Sequence, residues 1–172
     1  MNPVYNAILS RRSCRFYTNQ PISPENLHMI LTAGTHAPSA MNSQTRQFTV
    51  LRTRENIAVL AEAAGIVLGR SNYDLFKPAV LVIVSDDAIN PNSGFDCACA
   101  LENIFLMAHE LGIGSCWINQ MKDAENHPSV RKLLSDFGVP PAHHVYGMAA
   151  LGYAAVPASN MDKSKQVIHF AD

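Results

Sequence analysis

The residues best suited to chemistry fall in three short stretches. Arg11-Arg12-Ser13-Cys14-Arg15 places three guanidiniums and a hydroxyl within five positions. Arginine presents a rigid fork of N–H donors matched to phosphate oxygens, and each charge-assisted bond contributes on the order of 1.5–3 kcal/mol. Cations equally suit a helix C-terminus, and most arginine clusters are solvated surface. Ala37-Pro38-Ser39-Ala40-Met41-Asn42-Ser43-Gln44 is a loop of small and polar residues. If extended, it projects Asn42 and Gln44 to one side, where two amides can match the carbonyl and N–H edge of a heterocycle. The plainer reading is a helix stop whose amides bond nearby backbone. In Gly112-Ile113-Gly114-Ser115-Cys116-Trp117, Gly112 suits the position just past a helix end. Gly114 permits close approach of backbone to a ligand, with an N–H free to donate to a ring nitrogen.

Side-chain machinery for catalysis is missing. The sequence holds no G-x-S-x-G, H-E-x-x-H, Walker A or G-x-G-x-x-G pattern. Asp86-Asp87 reads as a solvated turn after a buried strand, and the seven histidines are scattered. An enzyme without its own catalytic groups borrows them from a cofactor. The cysteines (Cys14, Cys97, Cys99 and Cys116) form no C-x-x-C pair, so we expect reduced core cysteines in a cytoplasmic protein, with no metal site.

Those stretches need a scaffold, and the composition supports one. Of 172 residues, 48% are apolar and 16% charged, which predicts a single globular domain over residues 1–172. The formal charge of −1 argues against broad nucleic-acid binding, which needs a basic face. The longest apolar run, Ala79 to Val84, is too short for a membrane span, and no secretory signal pattern opens the chain.

Capping signals and periodicity then place the elements. Asn2 with Pro3 predicts a helix running toward Arg11, and Ser23-Pro24-Glu25 starts a second that stops near Ala37-Pro38. Residues 47–51 read as a strand, and Thr53 caps a helix closed by Gly65. Residues 79–84, rich in β-branched types, predict a buried central strand. The longest helix, residues 95–111, is apolar nearly all round, which suggests packing between subunits as well as within one. Residues 115–118 and 144–151 complete the strands, with a helix from His127-Pro128 between them. Irregular mixing of helices and strands indicates an α+β fold.

In order along the chain, these stretches resemble the FMN-dependent nitroreductase family. The matching text is Ala7-Ile8-Leu9-Ser10-Arg11-Arg12-Ser13-Cys14-Arg15-Phe16, then residues 37–44 with Phe48, then Ala100-Leu101-Glu102-Asn103 through Ile118, and Leu151-Gly152-Tyr153. The resemblance implies a central, mostly antiparallel sheet flanked by helices, in an intertwined homodimer with FMN at the interface. It implies that Arg11, Arg12, Ser13 and Arg15 hold the FMN phosphate and ribityl end, with Arg15 reaching toward the pyrimidine side. Pro38, Ser39 and Ala40 would come from the partner subunit, Asn42 and Gln44 would bond the ring edge, and the Gly114/Ser115 backbone would approach N5. The implied activity is NAD(P)H oxidation with ping-pong hydride transfer to nitroaromatic, quinone or similar acceptors. Three features depart from the family pattern. Thr45-Arg46 stands where Pro-Trp is common, the late phosphate-binding cation falls on Lys163 or Lys165, and the substrate-covering segment at residues 70–77 is short. A second reading is a flavin-binding or sensor protein that does not turn over.

Overall fold

The computed structural model describes residues 2–87, 89–157 and 167–171. Its first three helices begin as local capping chemistry dictates. Asn2 accepts from the Tyr5 N–H at 3.2 Å to start α1 (Pro3–Ser10). Ser23 accepts from Asn26 to start α2 (Pro24–Thr35), and Thr53 accepts from Asn56 to start α3 (Arg54–Val67). Each bond satisfies one of the donors that a helix N-terminus leaves without a partner. The long helix α4 (Ser93–Glu110) ends ahead of Gly112, whose φ of +71° suits a glycine stop, and α5 (Pro128–Asp136) opens on a proline.

Four antiparallel strands form one sheet: β1 (Gln47–Leu51), β2 (Val80–Asp87), β3 (Gly114–Ile118) and β4 (His143–Gly152), in the order β1-β2-β4-β3. Alternation along β2 divides the core. Val80, Val82 and Val84 join Ile30 of α2 with Leu101 and Ile104 of α4; Leu81 and Ile83 join Leu60 of α3, Leu134 of α5 and Met148. Helices therefore cover both faces, which explains why β2 is apolar throughout rather than alternating. Between β2 and β4 the register shifts: Val84 pairs with Gly147 but Ser85 with Val145, leaving Tyr146 as a bulge.

The expected α+β architecture with an antiparallel sheet is present, with several local differences. Helix α3 runs past Gly65 to Val67, because a side chain at Gly65 would meet Tyr73 Cβ at 2.9 Å, so packing and not termination sets that glycine. Asp86 and Asp87 belong to β2, and Asp86 is fully buried, accepting from Thr45 Oγ1 at 3.1 Å. Cys14, Cys97 and Cys116 are buried as expected, but Cys99 is exposed. Burial, reinforced by the nearby Asp86 carboxylate, pushes the Cys97 thiol up to about 12. Most of the apolar surface of α4 is used inside this chain, through Cys97, Ala100, Leu101, Ile104, Phe105 and Ala108; Phe95, Cys99 and Glu102 leave one outward strip.

The segment after α1 docks on the outer side of β3. Ser13 bridges Ser115 in parallel, the Cys14 N–H donates to the Ser115 carbonyl at 2.8 Å, and the Tyr17 hydroxyl donates to the Cys14 carbonyl at 2.6 Å. Burial raises the Tyr17 hydroxyl far above its ordinary pKa, so it remains a donor. Cys14 fits only because residue 114 is glycine: a Cβ there would stand 2.8 Å from Cys14 Cβ and 3.1 Å from the Gly152 carbonyl. Gly114→Ala should therefore destabilise the fold by about 1–3 kcal/mol through overpacking, read as a fall of several degrees in the thermal midpoint. An unchanged midpoint would show that Cys14 yields freely.

Candidate functional site

A cavity of about 490 Å³ opens where the segment after α1, the end of α4 and the start of β3 converge. Arg12, Ser13 and Arg15 line one side, and His109 with Gly112 and Gly114 another. Ala154, Val156 and Pro157 close it. Arg12, Ser13 and Arg15, within four consecutive positions, thus direct donors into one concavity, as phosphate recognition requires.

Each arginine has distinct surroundings. Arg12 folds back so that Nη1 donates to the carbonyls of Leu9 at 2.6 Å and Arg11 at 2.8 Å, satisfying the free end of α1. Its Nε is a buried donor without a partner among the described residues. Arg15 is exposed and lies over the Phe76 ring at 5.9 Å, a cation–π contact that steers the guanidinium. That ring is presented by a tight turn in which Leu75, Phe76 and Lys77 all have positive φ, a costly conformation for side-chain-bearing residues. Arg11 turns to Glu102, with Nε 3.6 Å from the carboxylate, and does not line the cavity. Gly114 borders the cavity while Ser115 is buried in the sheet. Lys163 and Lys165 lie outside the described residues.

The second stretch sits elsewhere, and it is not extended. Residues Ala40–Asn42 form a 3-10 turn, with positive φ at Met41, Asn42 and Gln44. Asn42 and Gln44 are exposed, and the Gln44 N–H donates to Ser39 Oγ at 3.1 Å. Pro38, Ser39 and Ala40 are fastened to the start of α4. The Ala40 N–H donates to Asp96 Oδ1 at 3.0 Å. Arg46 donates to the carbonyls of Pro38 at 2.8 Å, Ala37 at 2.8 Å and Asp96 at 2.7 Å. Arg46 is thus the clamp of the loop. Thirteen residues of α4 separate Asp96 from His109, about 20 Å at helical rise. Within one chain the loop and the cavity therefore stand apart.

Asp96, Phe76 and His109 were not legible as participants. Asp96 caps the loop across 56 residues, Phe76 reaches Arg15 through a tertiary contact, and His109 meets Ser10 across 99. The one local hint was the position of His109, in the last turn of a helix beside a glycine pair. Among the described residues no cluster of ligating side chains suits a metal ion, and no helix is long and apolar enough to cross a membrane.

Comparison with known proteins agrees with this geometry. A relative from Archaeoglobus fulgidus, provisionally named an NADH dehydrogenase/NAD(P)H nitroreductase, is 35% identical over 159 residues, covering 89% of this chain and 86% of that protein. The crystal structure of a Bacteroides fragilis nitroreductase with bound FMN superposes with a TM-score of 0.88 at 35% identity, covering 99% of this chain and 100% of the other. A Desulfitobacterium hafniense nitroreductase with bound FMN shares the fold, with a TM-score of 0.87 at 24% identity over 100% of both chains. A sequence model of the Nitroreductase family matches residues 8–153. With that match spanning most of its length and the architecture shared, the chain belongs to the nitroreductase family.

Proposed function

We propose that this chain is an FMN-dependent NAD(P)H oxidoreductase of nitroreductase type, acting as a homodimer with FMN held between two copies. The observation that carries the reading is the cavity where Arg12, Ser13 and Arg15 converge, with a buried Arg12 donor lacking an acceptor among the described residues. That donor set fits a phosphate. Arg11 would join it by exchanging the long, 3.6 Å contact with Glu102 for the phosphate. The bound FMN of the B. fragilis relative supports the same cofactor here. When bound, FMN supplies the hydride chemistry that the side chains lack.

The separation of loop and cavity supports the dimer. If Pro38, Ser39, Ala40, Asn42 and Gln44 are to meet a ligand seated on Arg12 and Arg15, a second copy must bring them. Val4, Tyr5, Ile8 and Leu9 on α1, Phe95 on α4 and the fully exposed Met41 offer apolar surface for that copy. In this arrangement Asn42 and Gln44 would bond the isoalloxazine edge, Arg15 would favour negative charge on its pyrimidine side, and the Gly114/Ser115 backbone would approach N5. NAD(P)H and a nitroaromatic, quinone or similar small acceptor then bind in turn. A cytoplasmic setting accords with four unpaired cysteines.

Purified protein mixed with FMN should hold a yellow chromophore that NADH or NADPH bleaches within the mixing time of a stopped-flow instrument. A nitroaromatic or quinone should then restore the colour. Flavin that binds but never bleaches would establish the sensor reading, and no flavin uptake would overturn both. Arg15→Ala should weaken FMN about ten- to a hundredfold, equivalent to 1.5–3 kcal/mol, in a fluorescence titration. Arg46→Lys keeps the charge but loses the fork that grips three carbonyls. It should weaken FMN severalfold, about 1 kcal/mol, with the cavity residues untouched; unchanged affinity would separate the loop from flavin binding.

A further inference from the structure

His109 lines the phosphate-suited cavity together with Ser10, and the hydrogen bond between them fixes which ring nitrogen carries a proton. The Ser10 hydroxyl has a single hydrogen, which it donates to the Asn6 carbonyl at 2.6 Å. At 2.7 Å from His109 Nε2, the Ser10 oxygen is therefore the acceptor and Nε2–H the donor. In the neutral ring, Nδ1 is then left with a bare lone pair, and it has no hydrogen-bond partner among the described residues. The oxygens of a phosphate dianion are acceptors only, so the dianion cannot bond that nitrogen until Nδ1 gains a proton.

We infer that His109 is a ligand of the FMN phosphate only as the imidazolium, so that FMN uptake carries a proton into the cavity. The inference rests on the flavin reading above. Among the described residues, the charged and titratable groups around His109 are Arg12, Arg15 and the Cys14 thiol from the docked segment, and Glu110 on its own helix. Ala154, Val156 and Pro157 bring none, and Glu102 on α4 is engaged by Arg11. A phosphate dianion supplies the negative charge that makes a further cation beside the guanidiniums favourable.

The sign is distinctive. Phosphate loses its second proton near pH 6, and arginines prefer the dianion, so acidification through that range weakens FMN binding at the arginines. Histidine acts the other way, gaining its charge as pH falls between 8 and 5. Comparing wild type with His109→Gln at each pH isolates the histidine, since glutamine keeps a donor for Ser10. The ratio of dissociation constants for FMN, variant over wild type, should climb from near unity at pH 8.5 to about tenfold at pH 5.5. With riboflavin, which lacks the phosphate, it should stay near unity throughout. Calorimetric titration of wild type with FMN, in two buffers of different ionisation heat near pH 7, should record net proton uptake without any variant. A flat FMN ratio, an equal trend with riboflavin, or proton release would each overturn the inference while leaving the flavin reading intact. Failure of wild type to bind FMN at any pH would instead overturn the flavin reading.

Discussion

The cavity exists because Cys14 can lie against a residue without a side chain. With Gly114 opposite it, the main chain of residues 13–17 approaches β3 closely enough for the Cys14 N–H to reach the Ser115 carbonyl. Tyr17 then locks the same segment from below, and Thr18 donates to the Tyr153 carbonyl at 2.8 Å. Once the backbone is pinned on both sides of Cys14, Ser13 and Arg15 are directed outward, into the concavity beside the end of α4. The sheet fixes the main chain, while the Leu9 and Arg11 carbonyls anchor Arg12 and the Phe76 ring steers Arg15. This is how a surface cluster of cations differs from a binding site: the cost of ordering the donors is met by burial elsewhere.

Helix α4 sets the second dimension. Its buried side is tied into the sheet by Leu101, Ile104 and Ala108, so it is a rigid rod whose two ends serve different purposes. At its start Asp96 and Arg46 hold the Pro38–Gln44 loop in a shape that local propensity disfavours, with Met41 and Gln44 left-handed. At its end His109, Gly112 and Ile113 shape the cavity wall. The loop's strain is thus sustained by Asp96 and Arg46, while the Asn42 and Gln44 amides are left facing solvent.

What could be read from the sequence was whatever depends on near neighbours. Asn2, Ser23 and Thr53 bond a main-chain N–H three residues on, so the starts of α1, α2 and α3 are written locally. The buried run in β2 and the Arg11-to-Arg15 cluster were equally visible. The misreadings share a different cause. Asp86 looks like a turn residue until Thr45 approaches from 41 positions away, and Gly65 looks like a stop until Tyr73 packs on it. The 37–44 stretch looks extendable because nothing in its own residues reveals that Arg46 and Asp96 will bend it. Ser10 and His109 are each unremarkable in their own helices; only the crossing of α1 and α4 makes them a pair.

The bulge at Tyr146 has a wider effect than its one unpaired residue suggests. In a regular strand Val145 would share a face with Gly147 and Ala149, yet Val145 joins Met148 and Ala150 in the cluster under α3 and α5. The extra residue shifts the alternation by one step, so the two halves of β4 can each obey the core nearest to them. It also leaves the Val145 N–H free to donate to the buried Glu125 carboxylate at 2.6 Å, while His144 takes that carboxylate's other oxygen at 2.7 Å. Were Tyr146 paired in a regular ladder instead, Val145 would turn to the face of Gly147 and Ala149, carrying an acid's anchor toward the wrong layer. The irregularity is what keeps the two layers in phase.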